Sequence, residues 1–249
     1  MSTAADVMAA LADAADPADA AFLQRFFKTG PGQYGEGDVF IGVRVPQTRA
    51  VARRFATLPE SELRLLLDSE VHEHRLAALV ILNRRFALAS RPRTRDDAER
   101  ERLVAFYLDA VRRGRVDNWD LVDSSAEYVL GEFLLDRPRD VLFELAASPV
   151  LWERRVAVLS TFAFIKRGDA STTLAIAERL LGDREDLMHK AVGWMLREVG
   201  KRVDRAALLG FLDEHAGRMP RTMLSYATEH LDPVQRAHYR ALPRGTGAR

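Results

Sequence analysis

His72-Glu73-His74-Arg75-Leu76-Ala77-Ala78-Leu79 sets a basic residue just ahead of a run of small and apolar residues. The same arrangement returns in Trp152-Glu153-Arg154-Arg155-Val156-Ala157-Val158-Leu159 and in Met188-His189-Lys190-Ala191-Val192-Gly193-Trp194. A weaker echo is Pro220-Arg221-Thr222-Met223-Leu224. With Arg75, Arg155, Lys190 and Arg221 as markers, the intervals are 80, 35 and 31 residues. The 80-residue gap has room for one more unit. Spacings of this size suit helix-pair repeats of the HEAT kind, which stack to bury one continuous core. The predicted fold is therefore an all-α, HEAT-like helical-repeat solenoid, one domain over 1–241 with a disordered tail over 242–249. In such a solenoid one helix of each pair lines a concave groove, and the markers would make that groove basic.

The remainder of the chain agrees with a helical reading. Apolar residues recur at three-to-four spacing over 61–68, 70–88, 95–113, 118–135, 140–147, 151–167, 172–181, 187–201, 205–216 and 221–230. The breaks between them fall at Gly, Pro or Asp, as at Gly114, Arg137-Pro138, Ser148-Pro149 and Gly182-Asp183. Ahead of these, two helices meet at Asp16-Pro17, where Asp can cap and Pro can open the second. A glycine-dense loop over 29–38 leads into Val39-Phe40-Ile41-Gly42-Val43-Arg44-Val45-Pro46. That stretch is apolar enough for a strand, but it has no evident partner and Pro46 ends it. It reads as an extended lead-in with Pro46 in the first turn of a helix.

Composition narrows the function classes. The chain has 249 residues, 47% hydrophobic and 29% charged, as in an ordinary globular protein. It contains no cysteine, which excludes disulfides, cysteine zinc sites and iron–sulfur clusters. Residues 1–20 carry Asp6, Asp13, Asp16 and Asp19 and no basic residue, unlike a signal or transit peptide. The longest apolar run, 76–82, is too short to span a bilayer, so a cytoplasmic protein is expected, and a solenoid with polar ends is expected to be a monomer. The net charge of +1 says nothing about nucleic acid. Basic pairs nevertheless recur, among them Arg112-Arg113, Arg154-Arg155, Lys166-Arg167 and Lys201-Arg202. They could form one basic face or simply the solvated sides of amphipathic helices. The six histidines suggest no metal constellation, since His72 and His74 diverge on a helix, and no phosphate-cradling glycine loop or nucleophile elbow occurs.

Asp123 falls inside the long gap, 48 residues after Arg75 and 32 before Arg155. In Asn118-Trp119-Asp120-Leu121-Val122-Asp123 it follows Trp119 by four residues, which puts both on one helix face. Asp competes for the helix backbone and gains little there, which suggests another purpose. The three tryptophans, Trp119, Trp152 and Trp194, all lie in the marked helices. Aromatic faces beside a carboxylate make a receiver for a cationic ring, at up to about 2 kcal/mol per desolvated face. The same residues would equally serve as core tryptophans and as an Asp123–Arg155 ion pair between repeats.

Asn118-Trp119-Asp120-Leu121-Val122-Asp123, Leu151-Trp152-Glu153-Arg154-Arg155 and Lys190-Ala191-Val192-Gly193-Trp194-Met195-Leu196-Arg197-Glu198 resemble, in order, three signatures of the AlkD family of DNA alkylation repair glycosylases. The resemblance covers roughly 22–230. It implies a HEAT-like solenoid and a monofunctional enzyme without cofactor or metal. Such an enzyme hydrolyses the N-glycosidic bond of N3- or N7-alkylated purines in duplex DNA and leaves an abasic site. By the resemblance Asp123 is the catalytic aspartate, and Trp119 and Trp194 pack against the lesion's deoxyribose and backbone. Arg155 is the active-site arginine near the phosphates, and Trp152 is support. Arg44, Arg154, Lys190, Lys201 and Arg202 are the candidate DNA contacts. Two positions depart from the best-known type: Arg44 replaces a glutamine facing DNA, and Phe27 replaces a tyrosine. A non-catalytic DNA-binding protein for damaged or branched DNA, and a peptide-binding solenoid, are the rival readings.

Overall fold

The computed structural model describes residues 2–243. It is helical, with one isolated parallel bridge between Val39 and Val71 among the described residues. The chain divides into two compact units, Met1–Leu130 and Gly131–Arg249. The expected tail falls mostly on 244–249, outside the described residues.

The first unit opens with α1 (Ala4–Ala12) and α2 (Pro17–Gln24). Thr3 and Asp6 form a reciprocal capping box on α1. Asp16 caps α2 by accepting from the Ala18 N–H at 2.8 Å, with Pro17 in the first turn, as the sequence predicts. There follow α3 (Val45–Arg54), α4 (Glu60–Leu67), α5 (His72–Ala89), α6 (Asp97–Arg112) and α7 (Trp119–Asp123). α5 is the centre: α1, α3, α4, α6 and α7 all pack on it. Its Leu76, Leu79, Ile81, Leu82 and Phe86 are buried, and Arg84, Ala87 and Leu88 are its exposed residues.

The lead-in over 39–43 is extended, as expected, and its anchor is Glu73. That buried carboxylate accepts the N–H groups of Ile41, Gly42 and Val43 at 2.9–3.2 Å. Gly42 has φ of +85°, and a Cβ there would lie 2.0 Å from the Asp16 carbonyl oxygen. Only glycine satisfies both demands.

In the second unit α8 (Asp140–Ala146), α9 (Leu151–Ser160), α10 (Phe162–Ile165) and α11 (Ser171–Arg179) precede α12 (Asp186–Arg202). α13 (Arg205–His215), α14 (Arg221–Ala227) and α15 (Pro233–Ala241) follow. α12 contacts α9, α10, α11, α13 and α14. Its Gly193 admits α14, because a Cβ there would lie 2.5 Å from the Met223 carbonyl oxygen.

The helix starts reset the repeat register. α5, α7, α9, α12 and α14 begin at His72, Trp119, Leu151, Asp186 and Arg221, giving intervals of 47, 32, 35 and 35 residues. Arg75 is thereby the counterpart of Arg154 and His189, each fourth in its helix. The side-chain contacts agree: all three donate to a carbonyl six residues back, Arg75 to Ser69, Arg154 to Ser148 and His189 to Asp183. Asp123 shares the fifth position with Arg155 and Lys190.

Two long predicted helices are broken. The 118–135 stretch becomes α7, a π-helical turn Glu127–Gly131 and a 3-10 turn Leu134–Asp136. The Leu121 carbonyl accepts the Ser125 hydroxyl at 2.6 Å, and the Ser124 carbonyl accepts the Asn83 amide at 2.7 Å. The 151–167 stretch breaks at Thr161, where the Ser160 and Thr161 hydroxyls donate to the carbonyls of Val156 and Val158 at 2.7 Å. Hydroxyls that bond back to the helix backbone bend or end it.

Gly193→Ala is expected to destabilise by about 1–3 kcal/mol, because the close crossing of α12 and α14 must open. Gly210→Ala on α13, where a Cβ meets nothing within 4 Å, should stabilise by about 0.5–1 kcal/mol. Urea denaturation of the two variants side by side checks both signs.

Candidate functional site

α7 has five residues, too few to hold a helix by itself in water. Its conformation comes from neighbours. Asn118 caps it, accepting from the Trp119 N–H at 2.8 Å while its amide donates to Asp38 Oδ2 at 2.8 Å. Leu121 and Val122 are fully buried. Ser125, just beyond, shares a 3.0 Å hydrogen bond with the Tyr107 hydroxyl. Burial, with the nearby Asp123 carboxylate reinforcing it, pushes the Tyr107 hydroxyl well above its ordinary range.

The strongest tether is His72, which sequence reasoning set aside. Its side chain is 3% exposed. Nδ1–H donates to Asp38 Oδ2 at 3.2 Å and Nε2–H to Asp120 Oδ2 at 2.7 Å. Burial opposes the charge, but the two carboxylates outweigh it and lift the imidazole to about 9. Asp38 is held at about 2: burial acts against its charge, and His72 and Arg75 prevail. Arg75 pairs with Asp38 and lies 3.4 Å from Asp117. Asp117 moves the other way, its carboxyl raised by burial despite Arg75. Phe27 and Phe40 lie against the imidazole ring at 5.0 and 4.7 Å between centroids. Phe27 also stacks on Trp119 at 5.2 Å and 16°.

Trp119 and Asp123 come together in the wall of a cleft of about 320 Å³. Leu23, Phe26, Phe27 and Val45 supply apolar lining, with Tyr128 and Arg49 also present. Phe26 is 58% exposed, and Val45 and Tyr128 are exposed too, an apolar patch of the sort that marks a binding surface. Trp119 and Asp123 themselves are half-buried. A half-buried carboxylate among aromatic faces favours positive charge and planar rings.

Arg155, Trp152 and Trp194 belong to the second unit. Arg155 is buried and donates to the Leu187 carbonyl at 2.6 Å, joining α9 to the start of α12. Trp152 is in the core. Trp194 is half-buried, its ring 5.9 Å from that of Phe162. Most of the candidate DNA contacts have acidic partners within their own unit. Arg44 pairs with Asp19 at 2.6 Å, Lys190 with Asp186 at 2.8 Å and Arg202 with Glu198 at 2.5 Å. Arg154 is committed most deeply, to the 3%-exposed Asp183 and to the carbonyls of Ser148 and Pro149. Lys201 is exposed beside a second cleft that includes Arg197, Arg205 and His230. Among the described residues no group of three or more His, Asp or Glu could hold a metal ion. No helix of the described residues is long and apolar enough to cross a membrane.

No curated protein matches the chain significantly. A solved structure described as a predicted DNA alkylation repair enzyme from Enterococcus faecalis is similar in fold, with a TM-score of 0.64 at 16% identity. The similarity covers 88% of this chain and 97% of that one. A family model described as DNA alkylation repair enzyme matches residues 7–231, nearly the whole sequence, and so the chain belongs to the DNA alkylation repair enzyme family.

Proposed function

We propose that the protein is a monofunctional DNA glycosylase that hydrolyses the N-glycosidic bond of cationic N3- or N7-alkylated purines in duplex DNA. The observation that carries this reading is Asp123 beside Trp119 in the wall of an open, aromatic-lined cleft. N3- and N7-alkylpurines already bear positive charge, so they leave with little acid assistance. Charge instead develops on the deoxyribose as the bond breaks. A carboxylate favours that state over the ground state, which is what lowers a barrier. Unit charges 4 Å apart attract by about 4 kcal/mol at an effective dielectric constant of 20. Asp123 also has the acceptor oxygens to orient a water toward the sugar carbon. Trp119, backed by Phe27, offers an aromatic face to the sugar. The resemblance of the second unit's signatures assigns Trp194 the same duty and Arg155 a place near the phosphates, which the buried Arg155 reaches only by giving up its bond to the Leu187 carbonyl.

Arg44, Lys190, Lys201 and Arg202 are the proposed phosphate contacts. Arg44 is well placed to exchange Asp19 for a phosphate, since its side chain is 60% exposed. Arg154 is left out, because its guanidinium already serves Asp183 and two carbonyls.

Asp123→Asn is expected to cut single-turnover release of 7-methylguanine or 3-methyladenine by about 100-fold or more, in line with loss of one preorganised electrostatic group. Its dissociation constant for the same duplex should stay within about threefold. Full-rate release by this variant would remove Asp123 from the chemistry, and DNA binding without release by the unmodified protein would favour a non-catalytic binder. Arg44→Gln should weaken binding and reduce the slope of log K against log salt by up to about 0.9, measured by a titration of affinity between 50 and 200 mM salt.

A further inference from the structure

We propose that His72 is a positioning residue for the candidate site, a buried imidazolium that fixes the orientation of α7, and with it Trp119 and Asp123, through Asp120. The proposal rests on the glycosylase reading for its effect on rate, but not for its effect on geometry.

Asp120 lies between Trp119 and Asp123 in a helix of five residues. Its Oδ2 takes the His72 Nε2–H at 2.7 Å, and its Oδ1 is buried with no hydrogen-bond partner. The imidazole is thus the polar tie between this carboxylate and the remainder of the unit. On its other side the same ring donates to Asp38, which also takes the Asn118 amide and pairs with Arg75. Asn118 in turn caps α7. Asp38 and His72 therefore hold both the start of α7 and the residue inside its first turn. Phe27 transmits the same position by packing, with the imidazole on one side and Trp119 stacked on it.

The charges that face His72 come from three elements. Asp38 lies in the loop before the lead-in, Asp117 and Asp120 at the start of α7, and Arg75 on α5. Glu73, next in sequence, is committed to three backbone N–H groups of the lead-in. A neutral imidazole keeps only one N–H, so loss of the proton removes one of the two carboxylate bonds. Against the opposing effect of burial, Asp120 and Asp38 together raise the folded imidazole from its ordinary 6.5 to about 9. Its proton stabilises the folded unit in full below pH about 6.5, and that contribution is lost as pH rises through about 9.

His72→Gln and Asp120→Asn test the proposal, with three readouts: base release in single turnover, affinity for the same methylated duplex, and the Trp119 indole resonance by NMR. His72→Gln should slow release at least tenfold while affinity changes less than about threefold, and should shift the Trp119 resonance. In the unmodified protein that resonance should titrate with a midpoint near 9, and release should decline over the same range; both features should be missing in His72→Gln. Asp120→Asn keeps an oxygen for the Nε2–H and should lose only about two- to fivefold in release; it carries the test if His72→Gln fails to fold. Unchanged release and an unchanged Trp119 resonance in a folded variant would overturn the positioning role. If the unmodified protein releases no base, the glycosylase reading fails. The resonance then decides the positioning role alone: no shift in the variants and no titration near 9 overturns it.

Discussion

A protonated imidazole between two carboxylates is the interaction on which the first unit's architecture turns. Burying charge is costly, and a buried pair is often no better for stability than apolar side chains of the same volume. Asp38, His72 and Asp120 make sense in another role. They join three segments far apart in sequence: the loop before the lead-in, the start of α5, and α7. Apolar contacts would allow α7 to slide or rotate on α5; two charge-assisted hydrogen bonds with opposite ends on one rigid ring do not. Glu73, the next residue, does the same for the backbone of the lead-in through three N–H groups. The first turn of α5 is therefore a hub of directed polar contacts ahead of the apolar run Leu76–Leu82.

Basic side chains serve two ends in this protein, and counting them does not separate the two. Arg75 and Arg154 are drawn inward by a neighbouring Asp and by the carbonyl six residues back. Such arginines fasten the turn before a repeat helix and contribute little to an external field. Arg44, Lys201 and Arg202 lie at exposed positions, two of them beside carboxylates. A near-neutral protein that binds DNA would have to exchange such carboxylates for phosphates, which makes affinity depend on a small number of pairs and on salt.

The helical class, the capped start of α2, the extended lead-in and most helix boundaries were legible from apolar spacing and from Asp, Gly and Pro. The pairing of Trp119 with Asp123 was legible too, because it depends on helical spacing within one turn or so. The breaks at Ser125 and Thr161 were not, since apolar periodicity runs through them and only the hydroxyl–carbonyl bonds end the helix. α15 escaped notice because Tyr239 is its only buried side chain, although Asp232-Pro233 repeats the Asp16-Pro17 start signal. The markers mixed registers: Arg155 and Lys190 stand one place beyond Arg75's position, because Arg154 and Arg155 are adjacent and only the contacts show which one matches Arg75, and Arg221 is the first residue of α14. His72 was illegible for a different reason. Its partners lie 34 and 48 residues away, and no local pattern announces an interaction made entirely by tertiary structure.

The shortness of α7 separates two properties that usually travel together. The helical bonds of a five-residue segment add little of their own, so a variant that loosens its tethers can free this segment while the rest of the unit stays folded. Amide exchange in 119–123 would then report a local opening with a smaller free energy than that of α5. Selection on repair activity would act on that local equilibrium, leaving overall melting temperature a poor guide to which variants are still competent.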